Sequence, residues 1–334
     1  MSRPTARQVA ELAQVSVATV SYVLSGRDRP VAAETRQRVL DAARQLGYTP
    51  NQAARSLRKR RTQRVCLVQG SLGGNPSDER LARDLHEMAD VHGYSVITLA
   101  VYSEGRARAA ADVLRSGIAD GALVNQTGDH FPHDLLAEIV ATGLPMVVVR
   151  NESVPDGCDV VRTPETQVST EAVEHLLAEG RTRIAFMAHR QELYRDQPTG
   201  RLLGYTTALD RHGVDQRIIV SGADDRVAAY QSATELLRSP DRPDAIFAAS
   251  DRAAISVINA AKDAGLSVPG DVAVIGVGNI DEGLISNPQL STVGPLRHDY
   301  TDVVRLLFDR LQADGPLPAR EIVRPWTFLR RGSS

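Results

Sequence analysis

From residue 64 onward, short apolar runs alternate with longer amphipathic segments. The runs occupy residues 65–68, 96–101, 122–124, 146–149, 184–187, 246–249 and 272–277, and segments such as 81–92, 168–179 and 253–264 lie between them. This alternation predicts an α/β fold in which parallel, doubly wound sheets carry helices on both faces. Seven or more strands over about 260 residues favour two such sheets, and we expect the chain to pass from one to the other near residues 160–165.

The charge of the chain is divided unevenly along its length. The first 61 residues contain 12 Lys and Arg against 4 Asp and Glu, whereas the remaining 273 contain 27 against 37. The overall net charge of −2 therefore combines a head of +8 with a body of −10. A small head with this charge is suited to a polyanion such as nucleic acid.

The basic head contains the signals of three short helices. Thr5 and Gln8 have the spacing of a capping box, and Ser16 is placed to cap a second helix over residues 17–24 after a tight turn at 14–15. A third helix is expected from about residue 33 to 46, ended by Gly47. The first two helices and their turn predict a helix-turn-helix.

The second of these helices has two distinct faces. Its inward-packing residues are predicted to be Val20, Val23 and Leu24, whereas Ala18, Ser21, Tyr22 and Ser25 share the opposite face through their helical spacing. The alternative interpretation is an ordinary three-helix bundle without a DNA function. The charge and the terminal position of the head favour DNA.

The sequence shows no recognisable enzyme, cofactor or metal motif. The glycines near residue 278 break the G-x-G-x-x-G spacing, and the eight histidines are dispersed. Cys66 and Cys158 are too few for a disulfide framework, so buried, reduced thiols are expected. No apolar run approaches the roughly 20 residues of a membrane span, and no apolar signal core is present. We therefore expect a cytoplasmic, nucleoid-associated protein that is not an enzyme and has no cofactor and no metal.

A series of motifs runs through almost the whole chain. In the head the motifs are Val9-Ala10, Ala13, Val15-Ser16, Thr19-Val20-Ser21, Val23-Leu24, Glu34-Thr35-Arg36, Leu46-Gly47-Tyr48, Pro50-Asn51 and Ala53-Ala54-Arg55-Ser56-Leu57. In the body they are Asn75-Pro76, Asp120-Gly121, residues 174–177, 201–205, 245–251, 268–272 and 290–293. With these motifs the chain resembles the LacI/GalR family of bacterial transcription regulators, and the match over the first 57 residues is highly specific.

The resemblance implies a domain organisation. Residues 1–49 would form the helix-turn-helix DNA-binding domain, and residues 50–62 a hinge helix with a basic linker. A two-lobed core like that of periplasmic binding proteins would follow. Its first lobe is expected to comprise residues 63–161 and 293–319, and its second lobe and tail residues 162–292 and 320–334.

The resemblance also implies how DNA is bound. A dimer would place each second helix in a major groove through Val17, Ala18 and Tyr22, while hydroxyl and basic side chains hold phosphates. Leu57 corresponds to an apolar wedge in the minor groove, with a plain basic linker as the alternative reading of its segment. The predicted DNA-binding residues are Thr5, Ser16, Val17, Ala18, Thr19, Ser21, Tyr22, Arg29, Asn51, Ala54, Arg55 and Leu57.

The ligand cleft between the lobes departs from the family pattern. Arg201 matches the family's effector-binding arginine, with a surface ion pair as the alternative role. The usual acidic pair after the 272–277 strand is replaced by Gly278-Asn279, and the usual aromatic pair after Asn75-Pro76 by Ser77-Asp78. These changes argue against a simple hexose, and favour either a charged or unusually polar effector or a cleft that binds none. The predicted effector-binding residues are Asn125, Arg150, Arg201, Ser250 and Gly278.

The function expected on these grounds is a sequence-specific DNA-binding transcription regulator, most simply a repressor. It would bind a palindromic double-stranded operator as a homodimer, and a sugar-like or charged small molecule would modulate its affinity. Two alternatives from other classes are a solute-binding receptor of the periplasmic-binding-protein type and an enzyme built on the doubly wound lobes.

Overall fold

A computed structural model describes residues 4–24, 31–49, 61–70, 76–125 and 131–334. The chain divides into two compact units, residues 1–63 and 64–334. Within the described residues of the first unit lie helices α1 (Ala6–Ala13), α2 (Val17–Leu24) and α3 (Ala33–Leu46). Their shared apolar cluster includes Val9, Val20, Val23 and Val39, each at most 5% exposed.

The second unit contains two lobes, each built on a six-stranded sheet. The strands are β1 (Arg64–Gln69), β2 (Ser95–Ala100), β3 (Gly121–Asn125), β4 (Met146–Val149), β5 (Asp159–Arg162), β6 (Ile184–Ala188), β7 (Ile218–Ser221), β8 (Ala245–Ala248), β9 (Ala273–Val277), β10 (Ser291–Gly294), β11 (Glu321–Val323) and β12 (Thr327–Leu329). The order in the first sheet is β11-β5-β4-β3-β1-β2, and in the second it is β12-β10-β9-β8-β6-β7. In the part of the chain that the structure describes, every strand pairing is parallel except that of β10 with β12. The predicted doubly wound α/β architecture is therefore confirmed.

Helices cover both faces of the first sheet. They are α4 (Pro76–Val91), α5 (Glu104–Arg115), α6 (His133–Val140) and α12 (Thr301–Gln312). One core lies between the sheet and α5 and α6, and the other between the sheet and α4 and α12. The nearly continuous apolar strands β1, β3 and β4 supply both cores, as expected for strands buried on two faces.

The second lobe has the same layering around a single large core. Its helices are α7 (Glu165–Ala178), α8 (Gly200–Arg211), α9 (Arg226–Arg238), α10 (Asp251–Asp263) and the short α11 (Asp281–Ile285), with a 3-10 helix at Arg190–Tyr194. Helix α7 packs against α8, and α9 against α10. Phe186 stacks on Tyr205 at the centre of this core, where the tyrosine hydroxyl donates to the carbonyl of Ile184.

The chain passes between the lobes three times, after β5, after β10 and after β11. The first passage lies within the predicted region of residues 160–165. The predicted lobe boundaries near the C-terminus were wrong. Strand β11 joins the first sheet beside β5, whereas residues 320–334 had been assigned to the second lobe. Strand β10, which includes residues 293–294, belongs to the second sheet, whereas residues 293–319 had been assigned to the first lobe. A three-residue edge strand such as Glu321–Val323 is too short to show a periodic apolar pattern, which is why the sequence did not reveal it.

Candidate nucleic-acid interface and ligand cleft

The N-termini of the first two helices are capped as the sequence predicts. Thr5 Oγ1 accepts from the backbone N–H of Gln8 at 3.4 Å, and Gln8 Oε1 accepts from the N–H of Thr5 at 2.8 Å. Ser16 Oγ accepts from the N–H of Thr19 at 3.0 Å, and the two hydroxyl oxygens lie 2.8 Å apart. These bonds fix the starts of α1 and α2, so the hydroxyls of Thr5 and Ser16 hold the helices in place as well as being candidate phosphate contacts.

The predicted faces of α2 are confirmed as far as Leu24, and Ser25 lies outside the described residues. Val20 and Val23 are 1% and 5% exposed, and Leu24 packs against the same cluster. On the other face Val17 is 48% exposed, Ala18 and Ser21 are exposed, and Tyr22 is half-buried. The first unit therefore presents an outer helix face with a small apolar tip and a tyrosine. The predicted contacts Arg29, Asn51, Ala54, Arg55 and Leu57 lie outside the described residues.

A cavity of about 720 Å³ lies between the lobes of the second unit, at the carboxyl ends of both sets of strands. This is where open parallel sheets bind ligands. All five predicted effector residues line it, namely Asn125, Arg150, Arg201, Ser250 and Gly278. The structure thus brings together residues that are up to 153 positions apart in the sequence.

The guanidinium of Arg201 is held on both sides by its own lobe. Its Nε donates to Glu165 Oε1 at 2.7 Å, and its Nη1 donates to the carbonyl oxygen of Ala249 at 2.5 Å. Although burial opposes the charged form, Glu165 and Glu192 outweigh it and raise the pKa of Arg201. Arg201 is therefore a fixed, permanently charged part of the cleft wall.

Arg150 links the cleft wall to a contact between the lobes. Its Nη1 donates to the carbonyl oxygen of Phe131 at 2.7 Å, and its Nε to Glu152 Oε2 at 3.1 Å. The other carboxylate oxygen of Glu152 accepts from Arg195 of the second lobe at 3.0 Å. A second cavity of about 700 Å³ lies beside this pair and shares Arg150 and Arg201 with the first.

The structure explains why position 250 is a serine and position 278 a glycine. Ser250 caps α10 by accepting from the N–H of Ala253 at 3.3 Å, and its hydroxyl donates to the carbonyl oxygen of Ala223. Gly278 has φ +134°, a backbone conformation that L side chains rarely adopt. A side chain with an acidic group at this position would be strained, so the departure from the family pattern is built into the backbone.

Sequence reasoning missed Asp251 as a cleft residue. It is 1% exposed, and it accepts from the Thr292 hydroxyl at 2.5 Å and from the N–H of Ile280 at 2.8 Å. Burial raises its pKa to about 6, although these two hydrogen bonds act in the opposite direction. Trp326, Arg324 and Tyr300 also line the cavity without having been predicted. Their segments return to the cleft only through the late passages between the lobes, which no local pattern indicates.

Comparison with known proteins identifies both parts of the chain. A profile described as bacterial regulatory proteins of the lacI family matches residues 5–51, and one for a periplasmic binding protein-like domain matches residues 173–334. A helix-turn-helix head followed by a core of this kind defines a class of bacterial transcription regulators.

Individual relatives agree along nearly the whole length. The chain is 31% identical over 317 residues to the HTH-type transcriptional repressor CytR of Escherichia coli K12, covering 92% of this chain and 90% of that protein. It superposes on the transcriptional regulator CelR in its cellobiose complex with a TM-score of 0.68 and 27% identity, over 99% of this chain and 100% of that one. The lac repressor dimer bound to operator and the anti-inducer ONPF shares the fold, with a TM-score of 0.76 and 22% identity over 99% of each chain. The chain belongs to the LacI family of bacterial regulatory proteins.

Within the ranges that the structure describes, no helix combines the length and the apolar character that crossing a membrane demands.

Proposed function

We propose that this chain represses transcription as a homodimer that binds a palindromic operator through α2, with an affinity that a small molecule in the interlobe cavity modulates. We place it in the cytoplasm at the nucleoid, where its operator lies. The observation that carries the proposal is the exposed outer face of α2, with Val17, Ala18 and Tyr22, in a head of net charge +8. Val17 and Ala18 have no hydrogen-bonding groups, so they would read groove shape or a thymine methyl group, and Tyr22 would supply a hydroxyl.

The DNA-binding step can be tested by footprinting the region upstream of the gene that encodes this chain. We expect protection of a palindrome, with an affinity that falls roughly a thousandfold between 50 and 200 mM salt, because two basic heads release many counterions. Binding without sequence preference at moderate salt would refute the proposal. It would leave the solute-binding receptor as the better interpretation.

A pair of tyrosine substitutions makes this test specific. Tyr22→Ala should lower the operator affinity measured by footprinting at least tenfold without altering the fold of the core. Tyr102→Ala is the matched control, because Tyr102 is 65% exposed on the first lobe, far from the head in sequence. Equal losses in both variants would argue against base reading by α2.

The hinge is the second part of the proposed DNA contact. Leu57→Ala should weaken specific binding and reduce the DNA bend while the core stays folded, because the proposed wedge would lose its apolar bulk. A six-residue hinge helix would be too short to be stable alone, so we propose that it folds on DNA. Unchanged operator affinity and bending would remove the wedge from the mechanism.

The proposed effector acts by favouring one arrangement of the lobes over another. Arg201→Lys keeps the charge of the cleft wall but cannot bond Glu165 and the Ala249 carbonyl with the same geometry. We expect it to abolish the change in operator affinity that the effector causes, while DNA binding without effector is unchanged. Titration of candidate metabolites into the footprint measures this response, and a normal response in the variant would refute the assigned role of Arg201.

A further inference from the structure

Four carboxylates of the described residues line the interlobe cavity, and three of them each have at least two hydrogen-bond partners in their own lobe. Asp224 accepts from the N–H of Arg190 at 2.7 Å and contacts His189, and its pKa is lowered by these groups. Asp225 caps α9 by accepting from two backbone N–H groups at 2.8 and 3.0 Å. Asp251 accepts from one hydroxyl and one backbone N–H. The fourth carboxylate, Asp78, belongs to the first lobe and has a different environment.

Asp78 lies in the first turn of α4 and faces the cavity with few donors around it. Its Oδ1 accepts from Asn125 Nδ2 at 2.8 Å, and the helix N-terminus adds a partial positive charge. Burial raises its pKa; the Asn125 amide opposes this rise, and nearby Glu79 adds to it. No Lys, Arg or His of the described ranges forms a salt bridge with Asp78. A partly desolvated carboxylate whose one side-chain partner in the described ranges is a neutral amide would be stabilised by a cationic ligand.

The cationic side chains of the cavity are paired with other carboxylates. The pairs are Arg150 with Glu152, Arg201 with Glu165, Arg324 with Asp302, and both Arg226 and Arg252 with Glu282. Since each guanidinium has a partner of opposite charge, none of them relieves Asp78. Among the described residues, therefore, no cationic side chain is left to compensate Asp78, and a bound cation could do so.

A second amide side chain, that of Gln69, lies beside Asn125 on the adjacent strand. Gln69 and Asn125 are register partners on adjacent strands, and Leu67 and Leu123 place this face of the sheet toward α4. Because strand side chains alternate, Gln69 and Asn125 also point toward α4. Gln69 is 6% exposed, and within the described part of the chain its Oε1 accepts no hydrogen bond.

Aromatic rings lie in the same cavity. Tyr300 and Trp326 both line it, and the guanidinium of Arg324 sits 4.2 Å from the centroid of the Tyr300 ring. Aromatic faces beside an unpaired carboxylate are the usual components of a site for an organic cation. This observation is independent of the hydrogen bonds of Asp78.

We propose that the effector presents a cationic nitrogen, a protonated amine or an amidinium, to Asp78 on the first lobe. The inference rests on the proposed function of the cleft, and it names the class of molecule that the cleft selects. The remainder of the ligand reaches the second lobe, where Arg201, Ser250 and Asp224 line the opposite wall. The acidic residue at position 78 thus takes over selectivity from the aromatic pair that is missing here.

Matched pairs of small molecules test the proposal, with the chain's single tryptophan as the reporter. Trp326 lines the cavity, so its fluorescence responds to occupancy. The probes are D-glucosamine against D-glucose, D-galactosamine against D-galactose, and putrescine against 1,4-butanediol, each titrated to 20 mM at pH 7. At least one amine should bind about tenfold more tightly than its hydroxyl counterpart, which corresponds to about 1.4 kcal/mol.

Two variants distinguish a specific contact with Asp78 from a general effect of negative charge on amine binding. D78N preserves the shape of the side chain and should remove the preference for the amine. E79Q removes the same charge from an exposed neighbour outside the cavity, so it should change amine binding less than twofold. Thermal unfolding of both variants shows that the fold is kept. An alcohol that binds as tightly as its amine, an amine preference that survives D78N, or no response to any amine would each overturn the proposal.

Measuring ligand binding and operator protection on the same protein samples distinguishes a failure of this inference from a failure of the proposed function. If a neutral sugar binds the cleft and alters the operator footprint, the cleft is an effector site and the assignment of Asp78 fails alone. If amines bind through Asp78 but no palindrome is protected, the ligand class stands and the proposed regulation fails.

Discussion

The carboxylate of Glu152, in the first lobe, accepts a hydrogen bond at 3.0 Å from the guanidinium of Arg195, in the second. Glu152 is also bonded to Arg150, so it connects the cleft wall of one lobe to the surface of the other. A second bridge crosses the gap where His298 Nε2 donates to the Asn279 carbonyl oxygen. Separation of the lobes must break these contacts, which makes them determinants of the balance between lobe arrangements.

Removing the charge of Glu152 should favour separated lobes. Burial opposes the ionisation of Glu152, but hydrogen bonds and the guanidiniums of Arg150 and Arg195 outweigh it and lower its pKa. Because the side chain is 36% exposed, the pair contributes only about 0.5–1 kcal/mol. Glu152→Gln should therefore shift the equilibrium two- to fivefold toward the open arrangement.

The shift can be measured as the distance between fluorophores on the two lobes. Introduced cysteines at the exposed positions Glu104 and Gln216 carry the labels. The native thiols of Cys66 and Cys158 are buried, which raises the pKa of each to about 11, so they should not react at pH 7. The control is Glu171→Gln, an exposed acid on α7 bonded to Gln167. The same distance change in both variants would exclude the interlobe pair as its cause.

A methyl group at Gly204 should destabilise the second lobe. A Cβ there would lie 2.6 Å from Ser169 Cβ and 2.7 Å from the carbonyl oxygen of Thr166, where α8 crosses α7. Gly204→Ala should cost about 1–3 kcal/mol and lower the midpoint of thermal unfolding by about 4–10 °C. Gly105→Ala on α5 is the control, because a Cβ there meets nothing within 4 Å and should be neutral or slightly stabilising. Equal melting of the two variants would contradict the close packing.

Loss of the cap of α2 should affect DNA binding more than overall stability. Ser16→Ala removes the acceptor for the Thr19 N–H, at a cost of about 1 kcal/mol to the helix. We expect operator affinity in a gel-shift titration to fall about fivefold, since α2 would then start irregularly. Ser103→Ala removes the equivalent cap of α5 in the core and should leave operator affinity unchanged. A gel-shift midpoint that is unaffected by Ser16→Ala would separate this cap from DNA recognition.

The buried Asp251 gives stability a specific pH dependence. Its pKa is about 6 in the folded chain because of burial, against about 3.9 when unfolded. The folded state holds the proton more tightly, so this contribution to stability is fully present below pH 3.9 and is lost as the pH rises through 6. Urea unfolding should show that the stability of the wild type relative to Asp251→Asn falls by about 1–2 kcal/mol between pH 5 and pH 7.5. A constant difference would mean that Asp251 does not change its protonation there.

Local signals in the sequence predicted the head well. The capping box of Thr5 and Gln8 and the left-handed Gly47 that ends α3 are each encoded within a few residues, so the helix limits could be read directly. The alternation of apolar runs likewise predicted the central strands, because strands buried on two faces keep their apolar character regardless of context.

Partners that depend on tertiary packing could not be predicted. Arg201 was correctly placed at the cleft, but its pairing with Glu165 depends on how α7 packs against α8. The environment of Asp78 likewise depends on Asn125, 47 positions away, and on the cavity arginines, which pair with other carboxylates. The sequence revealed which residues depart from the family, and the structure revealed which of those departures leaves a carboxylate with no partner of opposite charge among the described residues.

The last 14 residues supply an edge strand to each sheet, β11 to the first and β12 to the second. During synthesis, therefore, neither lobe can complete its sheet until these two strands have left the ribosome. The first lobe, although most of it is synthesised early, must wait for α12 and β11, which follow the whole α/β body of the second. A stop codon ahead of residue 321 would thus remove a strand from both lobes at once, and the cell would lose the sensor as a unit.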